Sequence, residues 1–279
     1  MTSTAGYATW TSRNNGFLSS EMQQKIRGAR VLVAGCGLGS VIAEVLARTG
    51  FTELAVADGD QVELHNLNRQ CFSHADVGAN KAERLAQRLR AIHPEVHAEA
   101  APFMLDRKNI PQLLSRTDIV VDSIDFLDAA AILSLHREAR RNNIPVISPV
   151  AAGWGSAALV FDTKGASLHE LVGLRDDEIP DGITYSALFL EALGRLGEAL
   201  PPYVAEVVRN QFQQIRERRP CPISQLGAGT FSAASLTATL LVRILLGESV
   251  PLAPSLIVVD PLQAGRVATA GAGTGASWQ

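Results

Sequence analysis

Between Gly35 and Lys81 the chain gathers most of the groups that could do chemistry. Gly35, Gly37 and Gly39 fall at alternate positions. The acids Asp58 and Asp60 follow, then the carboxamides Asn66 and Gln70 and the cations Arg69 and Lys81. Glycines placed after an apolar run and before an amphipathic one form a turn whose backbone N–H groups can approach a phosphate, and the helix that follows favours negative charge at its start. An acid closing the next apolar run, here Asp58, can accept hydrogen bonds from a ribose. Those two features suit NAD and ATP equally. Arg69 and Lys81 separate the two nucleotides. Hydride transfer needs no cations beside the ribose acid, whereas breaking the bond between the α- and β-phosphates of ATP develops negative charge that cations stabilise.

The elements that must hold these residues are legible as alternating apolar runs. Residues 30–34 read as a buried strand, 41–49 as a helix ended by Gly50, and 54–57 as the next strand. A helix is expected over 80–92, stopped at His93-Pro94, followed by a strand at 96–100 and a helix at 107–114. Residues 118–123 (DIVVDS) form a strand ending in acid. Then come a helix over 127–143 and strands at 145–148 and 157–161. This pattern predicts an α/β fold with a doubly wound, Rossmann-like, mostly parallel sheet and helices on both faces, its ligand bound beyond the carboxyl ends of the strands.

Outside this core, residues 1–29 are expected to be a flexible polar arm with a short helix capped by Ser19 or Ser20, and residues 30–163 a nucleotide-binding core. Residues 164–267 are expected to add, to the same domain, an acidic loop that shapes the substrate site, helices over 188–218 and 228–246, and a last strand at 256–259. Residues 268–279, rich in Gly, Ala and Thr, read as a disordered tail.

Composition limits the possibilities. The chain has 279 residues, 47% hydrophobic and 19% charged, with a net charge of −3. No general positive field draws it to nucleic acid or anionic membrane. Cys36, Cys71 and Cys221 form no CxxC pair, which argues against a disulfide framework or a cysteine zinc site. The first residues carry no apolar signal segment, and the apolar stretch 233–246 is short for a bilayer, so a cytoplasmic location and no membrane contact are expected.

The order and spacing of four motifs make the chain resemble the ubiquitin-activating-type adenylyltransferases of the ThiF/MoeB/HesA superfamily. They are GCGLGS after the first strand, D-G-D-x-V-x-x-x-N-L-N-R-Q from Asp58 to Gln70, D-V-G-x-x-K from Asp76 to Lys81, and V-V-D-S-I-D from Val120 to Asp125. The resemblance implies that Gly35, Gly37 and Gly39 line the phosphates of ATP and that Asp58 binds the ribose, with Asp60 near the adenosine. It implies that Asn66, Arg69 and Lys81, with the adjacent Gln70, hold the triphosphate and that Asp125 binds Mg²⁺. It also implies a homodimer in which Arg13 is donated to the partner's site, and a substrate carboxylate at the C-terminus of a small carrier protein or peptide.

The chain departs from that family in three respects. Its glycine turn is one residue shorter than G-x-G-G-x-G, it lacks the two CxxC pairs common in sulfur-carrier activators, so no zinc is expected, and Phe126 stands where Asn is usual. Cys221, between two prolines and near arginines, is a candidate for a lowered thiol pKa and a thioester. DSID and ARTG also resemble the tRNA threonylcarbamoyladenosine dehydratases, which activate a carboxylate on tRNA. An NAD-dependent oxidoreductase and a silent scaffold partner are the remaining alternatives.

Overall fold

The computed structural model describes residues 4–125, 128–175, 178–179, 199–217 and 224–263. The strands are β1 (Arg30–Ala34), β2 (Glu53–Ala57), β3 (His97–Ala101), β4 (Ile119–Asp122), β5 (Val146–Ala152), β6 (Gly155–Phe161) and β7 (Ile257–Val259). They form one sheet in the order β3-β2-β1-β4-β5-β6-β7. The ladders from β3 to β5 are parallel, and β6 and β7 run antiparallel. The helices are α1 (Thr4–Trp10), α2 (Ser20–Gly28), α3 (Leu38–Thr49), α4 (Lys81–Ile92), α5 (Ile110–Leu114), α6 (Ala129–Arg141), α7 (Leu168–Leu171), α8 (Pro202–Arg216) and α9 (Gly227–Leu245).

Side chains alternate along β1 between two buried layers, which is why the strand reads as an unbroken apolar run. Val31 and Val33 join Ile42 and Leu46 of α3, Leu85 and Leu89 of α4, and Ala234 and Leu241 of α9. Leu32 and Ala34 join Ile110 and Leu114 of α5 and Leu135 and Ala139 of α6. Strand order reverses between β1 and β4. The α3 connection leaves β1 on one face and α6 leaves β4 on the other, so a crevice opens beyond the carboxyl ends of this pair.

Four expectations about the elements need correction. The polar arm is not loose over residues 4–16: it folds as α1 and a 3₁₀ turn at Ser12–Asn14. Tyr7 is buried there and donates to Gly50 O at 2.7 Å, and Trp10 stacks on His93 with ring centroids 4.3 Å apart. The loop after residue 164 contains the helical turn α7, closed by a capping box in which Ser167 and Glu170 satisfy each other's backbone. The strand expected at 145–148 continues to Ala152. The helix expected over 228–246 is present as Gly227–Leu245, and the expectation that its apolar stretch is short for a bilayer is corrected, since its 19 residues are enough by length and composition alone. Its small residues Ala233, Ala234, Thr237 and Ala238 are buried where it packs on β5, β6 and α3. Phe126, Cys221, the tail over 268–279 and the first part of the helix expected over 188–218 lie outside the described residues.

Candidate functional site

The crevice is built from the chain's turns outward. Gly35 has φ +88°, and a Cβ there would sit 2.2 Å from Ser123 O and 2.7 Å from Ile124 N, so only glycine lets β1 and the end of β4 meet. The Ser123 hydroxyl donates to Gly35 O at 2.7 Å, tying the two strand ends together. Gly37 caps α3, and a Cβ on it would come 3.3 Å from the Gln70 amide nitrogen. Gly39 is buried in the first turn of α3, where a Cβ would lie 2.6 Å from Val33 Cγ1. Its missing side chain serves helix–strand packing, while its N–H remains in the turn that faces the crevice. Three residues, Gly35 to Gly37, join β1 to α3.

Asp58 follows β2 and braces this short turn. Its Oδ2 accepts the Cys36 N–H at 2.7 Å and its Oδ1 the Asp60 N–H at 2.8 Å. Burial raises its pKa, opposed by those two N–H groups and by Lys81. Each carboxylate oxygen retains a second lone-pair direction for a ribose hydroxyl.

The D-V-G-x-x-K motif positions Lys81. Asp76 accepts the Ser73 N–H at 2.8 Å and the Arg84 Nε–H at 2.8 Å. Gly78, at φ +87°, lets its N–H reach Val62 O at 2.8 Å. Asn80 then caps α4 by accepting from Glu83 N at 3.0 Å, and its amide donates to Asp58 O at 3.0 Å. Lys81, the first helical residue, is buried along its stem, and its ammonium meets Asp60 Oδ2 at 3.0 Å.

Asn66 is buried, with Oδ1 accepting the Glu63 N–H at 3.0 Å, and its own NH₂ donates to none of the described residues. Its carbonyl accepts from Arg69 N and Gln70 N, which sets the direction of both side chains. The Arg69 guanidinium donates to Gln225 Oε1 at 2.6 Å, His65 O at 2.9 Å and Asn68 Oδ1 at 2.9 Å. Burial lowers its pKa and the nearby Asp125 carboxylate raises it. The Gln70 amide oxygen is buried with no hydrogen-bond partner among the described residues.

The two acids of the D-x-x-D motif diverge. Asp122 is buried, with Oδ2 at 2.8 Å from His136 Nε2 and accepting from the Ser148 hydroxyl at 3.3 Å. Asp125 lies past the strand end and is exposed. The site therefore brings together Gly35, Gly37, Asp58, Asp60, Asn66, Arg69, Gln70, Lys81 and Asp125. Arg13 stands apart. Its neighbour Asn14 donates to Thr49 O at 2.9 Å, at the far end of α3 from the glycine turn. Twelve helical residues separate those ends by about 18 Å. The thiols of Cys36 and Cys71 are buried or half-buried, and burial pushes Cys71 up to about 11 and Cys36 well above the ordinary value.

Three contributors were not singled out from the sequence. Gln225 binds Arg69 from the far part of the chain, and its carbonyl also accepts from Asn68 at 3.3 Å. Ser40 donates to Gly37 O at 2.7 Å and accepts the Cys71 N–H at 2.9 Å, stapling the glycine turn to the Arg69–Gln70 segment. Asn80 could have been found as an N-cap preceding an amphipathic run.

A doubly wound sheet, a glycine turn at its switch point, a strand-end acid and two cations beside them define a nucleotide-binding α/β protein built around phosphate. The chain belongs to the ThiF family, whose model matches residues 11–272. It is 32% identical over 174 residues to the SAMP-activating enzyme E1 of Haloferax volcanii, covering 62% of this chain and 57% of that one. It is 35% identical over 150 residues to the tRNA threonylcarbamoyladenosine dehydratase of Escherichia coli, covering 52% and 55%. The chain thus spans a little over half the length of these curated relatives. The crystal structure of the Escherichia coli tRNA N6-threonylcarbamoyladenosine dehydratase with AMP superposes with a TM-score of 0.62 at 21% identity, over 88% of this chain and 98% of that one, so the fold is shared nearly end to end.

Proposed function

We propose that the protein is an ATP-dependent adenylyltransferase that converts a substrate carboxylate to an acyl-adenylate, most simply the C-terminus of a small carrier protein or peptide. The observation that carries this reading is the pair Arg69 and Lys81, poised beside the glycine turn and Asp58, where hydride transfer would have no use for them. A carboxylate oxygen attacks the α-phosphorus, the bond to the bridging oxygen breaks, and pyrophosphate leaves with that electron pair. N–H groups of the turn and of the α3 N-terminus cradle the phosphates. Asp58 orients the ribose. Lys81 exchanges Asp60 for a phosphate oxygen, Arg69 turns its Nη2 to another while Gln225 holds its Nε–H, and Asn66 offers its NH₂. Asp125, exposed past the end of β4, suits Mg²⁺, an ion commonly held by one or two carboxylates and substrate phosphates. When bound, Mg²⁺ would neutralise charge on the phosphates.

Arg13 lies too far along α3 to serve its own chain's site, which favours its donation to a partner subunit. A tRNA-linked carboxylate is the second reading, favoured by the likeness to the Escherichia coli dehydratase. The test is ATP–pyrophosphate exchange with Mg²⁺, adding carrier proteins ending in Gly-Gly, peptides or modified tRNA in separate arms. Exchange that requires one of these and vanishes in Arg69→Ala and Asp125→Ala is expected. No exchange with any of them, together with no ATP binding by calorimetry, would overturn the assignment.

A further inference from the structure

A cavity of about 270 Å³ lies on the α6 face of the sheet, remote from the glycine turn. It is bordered by residues at the start of β5 and the end of β6, so it opens at the rim opposite the carboxyl ends of the parallel strands. One wall carries three arginines from the C-terminal part of α6: Arg137, Arg140 and Arg141. The floor is apolar, made by Val146, Phe161 and Leu168, and His136 stands across it with its ring edge-on to Phe161.

The charges around this cavity do not cancel. Glu138 takes Arg137 at 3.2 Å and Arg141 at 3.1 Å. Arg140 has no carboxylate partner among the described residues: its Nη1 donates to the carbonyls of Asp162 at 2.6 Å and Gly165 at 3.0 Å. The Asp162 carboxylate faces backbone, accepting from Lys164 N at 2.7 Å and Gly165 N at 3.0 Å. A guanidinium has five N–H donors, so each of the three keeps donors in hand. Cations in the last turn of a helix are favourable anywhere, which accounts for Arg140 and Arg141 being there but not for the recess they border.

We propose that this cavity binds a small organic anion, its phosphate or carboxylate head on the three guanidiniums and a compact apolar body on Val146, Phe161 and Leu168. Carboxylates and phosphates each offer two oxygens that match the fork of an arginine. A cavity of roughly 150 Å³ accommodates a benzene ring, so the space here holds a ring together with its head group. The site is separate from the nucleotide crevice and stands whether or not the adenylation reading does.

The experiment is calorimetric titration of the full chain, saturated with a non-hydrolysable ATP analogue to close the nucleotide site, using phenyl phosphate, benzoate and inorganic phosphate at constant ionic strength. Millimolar or tighter binding of phenyl phosphate or benzoate is expected, and whichever is tighter identifies the head group. Inorganic phosphate should bind at least about tenfold more weakly, and the double variant Arg137→Gln with Arg141→Gln should weaken the organic anion by about tenfold or more. Leu168→Trp fills the floor while leaving the arginines intact, and it should abolish binding even if the double variant does not fold. No binding by either organic anion, equal binding of inorganic phosphate, or binding unchanged by Leu168→Trp would each overturn the proposal.

Discussion

Replacing Gly35 with alanine tests the geometry on which the whole crevice rests, and Gly78 supplies the matched control. Both glycines hold φ near +88°, at +88° and +87°. At Gly78 an added Cβ meets nothing within 4 Å, whereas at Gly35 it would lie 2.2 Å from Ser123 O, 2.5 Å from Ser123 C and 2.7 Å from Ile124 N. The left-handed backbone costs an alanine about 1–2 kcal/mol at either position, part of which is offset by the less flexible unfolded chain, leaving about 1 kcal/mol for Gly78→Ala. At Gly35 the backbone beyond β4 must also retreat by about 1.2 Å or more to reach ordinary contact distance. Such overpacking adds about 1–3 kcal/mol, for a total of about 2–4 kcal/mol. Calorimetric melting should then fall by about 5–15 °C for Gly35→Ala and by only a few degrees for Gly78→Ala. Asp125 lies two residues beyond Ser123, so pyrophosphate exchange by the folded Gly35→Ala protein should fall about a hundredfold, as misplacement by about 1 Å can do. Equal melting temperatures for the two variants would refute the contact between Gly35 and the Ser123 backbone.

Lys81→Met should weaken ATP binding by at least about tenfold, since a point charge is removed from the phosphates. Unchanged affinity by calorimetric titration would take Lys81 out of the site. Gln225→Leu removes the hydrogen bond that holds the Arg69 Nε–H and should raise the KM for ATP by about tenfold. A normal KM would leave Gln225 with no part in positioning Arg69. Burial raises the Glu44 pKa, but Arg88 and Arg48 outweigh it and hold it below its usual 4.5. That stabilisation is present above the usual value and lost as pH falls through the folded one. Urea midpoints at about pH 7 and about pH 3 should therefore drop further for the wild type than for Glu44→Gln, and parallel drops would remove Glu44 from the acid response.

The parallel core could be read because its strands are buried on both faces and its helices are amphipathic, so apolar runs and glycine punctuation marked β1, α3, β2 and α4 to within a few residues. The candidate site was legible for the same local reason: Asn66, Arg69, Gln70 and Lys81 sit in one continuous segment with Asp58. What escaped was long-range. Tyr7 and Trp10 are two aromatics in a polar stretch with no period, and their burial depends on Gly50 and His93, which no local pattern reveals. Gln225 meets Arg69 across most of the chain, between turns with no periodicity of their own. The divergence of Asp122 from Asp125 depended on His136, a helix residue whose partner is set by how α6 crosses the sheet.

The position of α9 has a consequence for how the protein is made. This helix packs on α3, yet it ends 196 residues after α3 does, from Thr49 to Leu245. At about 5–20 residues per second a ribosome takes roughly 10–40 s to cover that interval. During that time the surface of α3 and β1 destined for Ala234, Ala238 and Leu241 has no cover. The nascent chain must hold an unfinished apolar layer until α9 emerges. Folding of this layer is therefore completed only once residue 245 has been made, and a product cut short before residue 227 would leave the ribosome with its glycine turn and the Asp58–Lys81 segment intact and its core open.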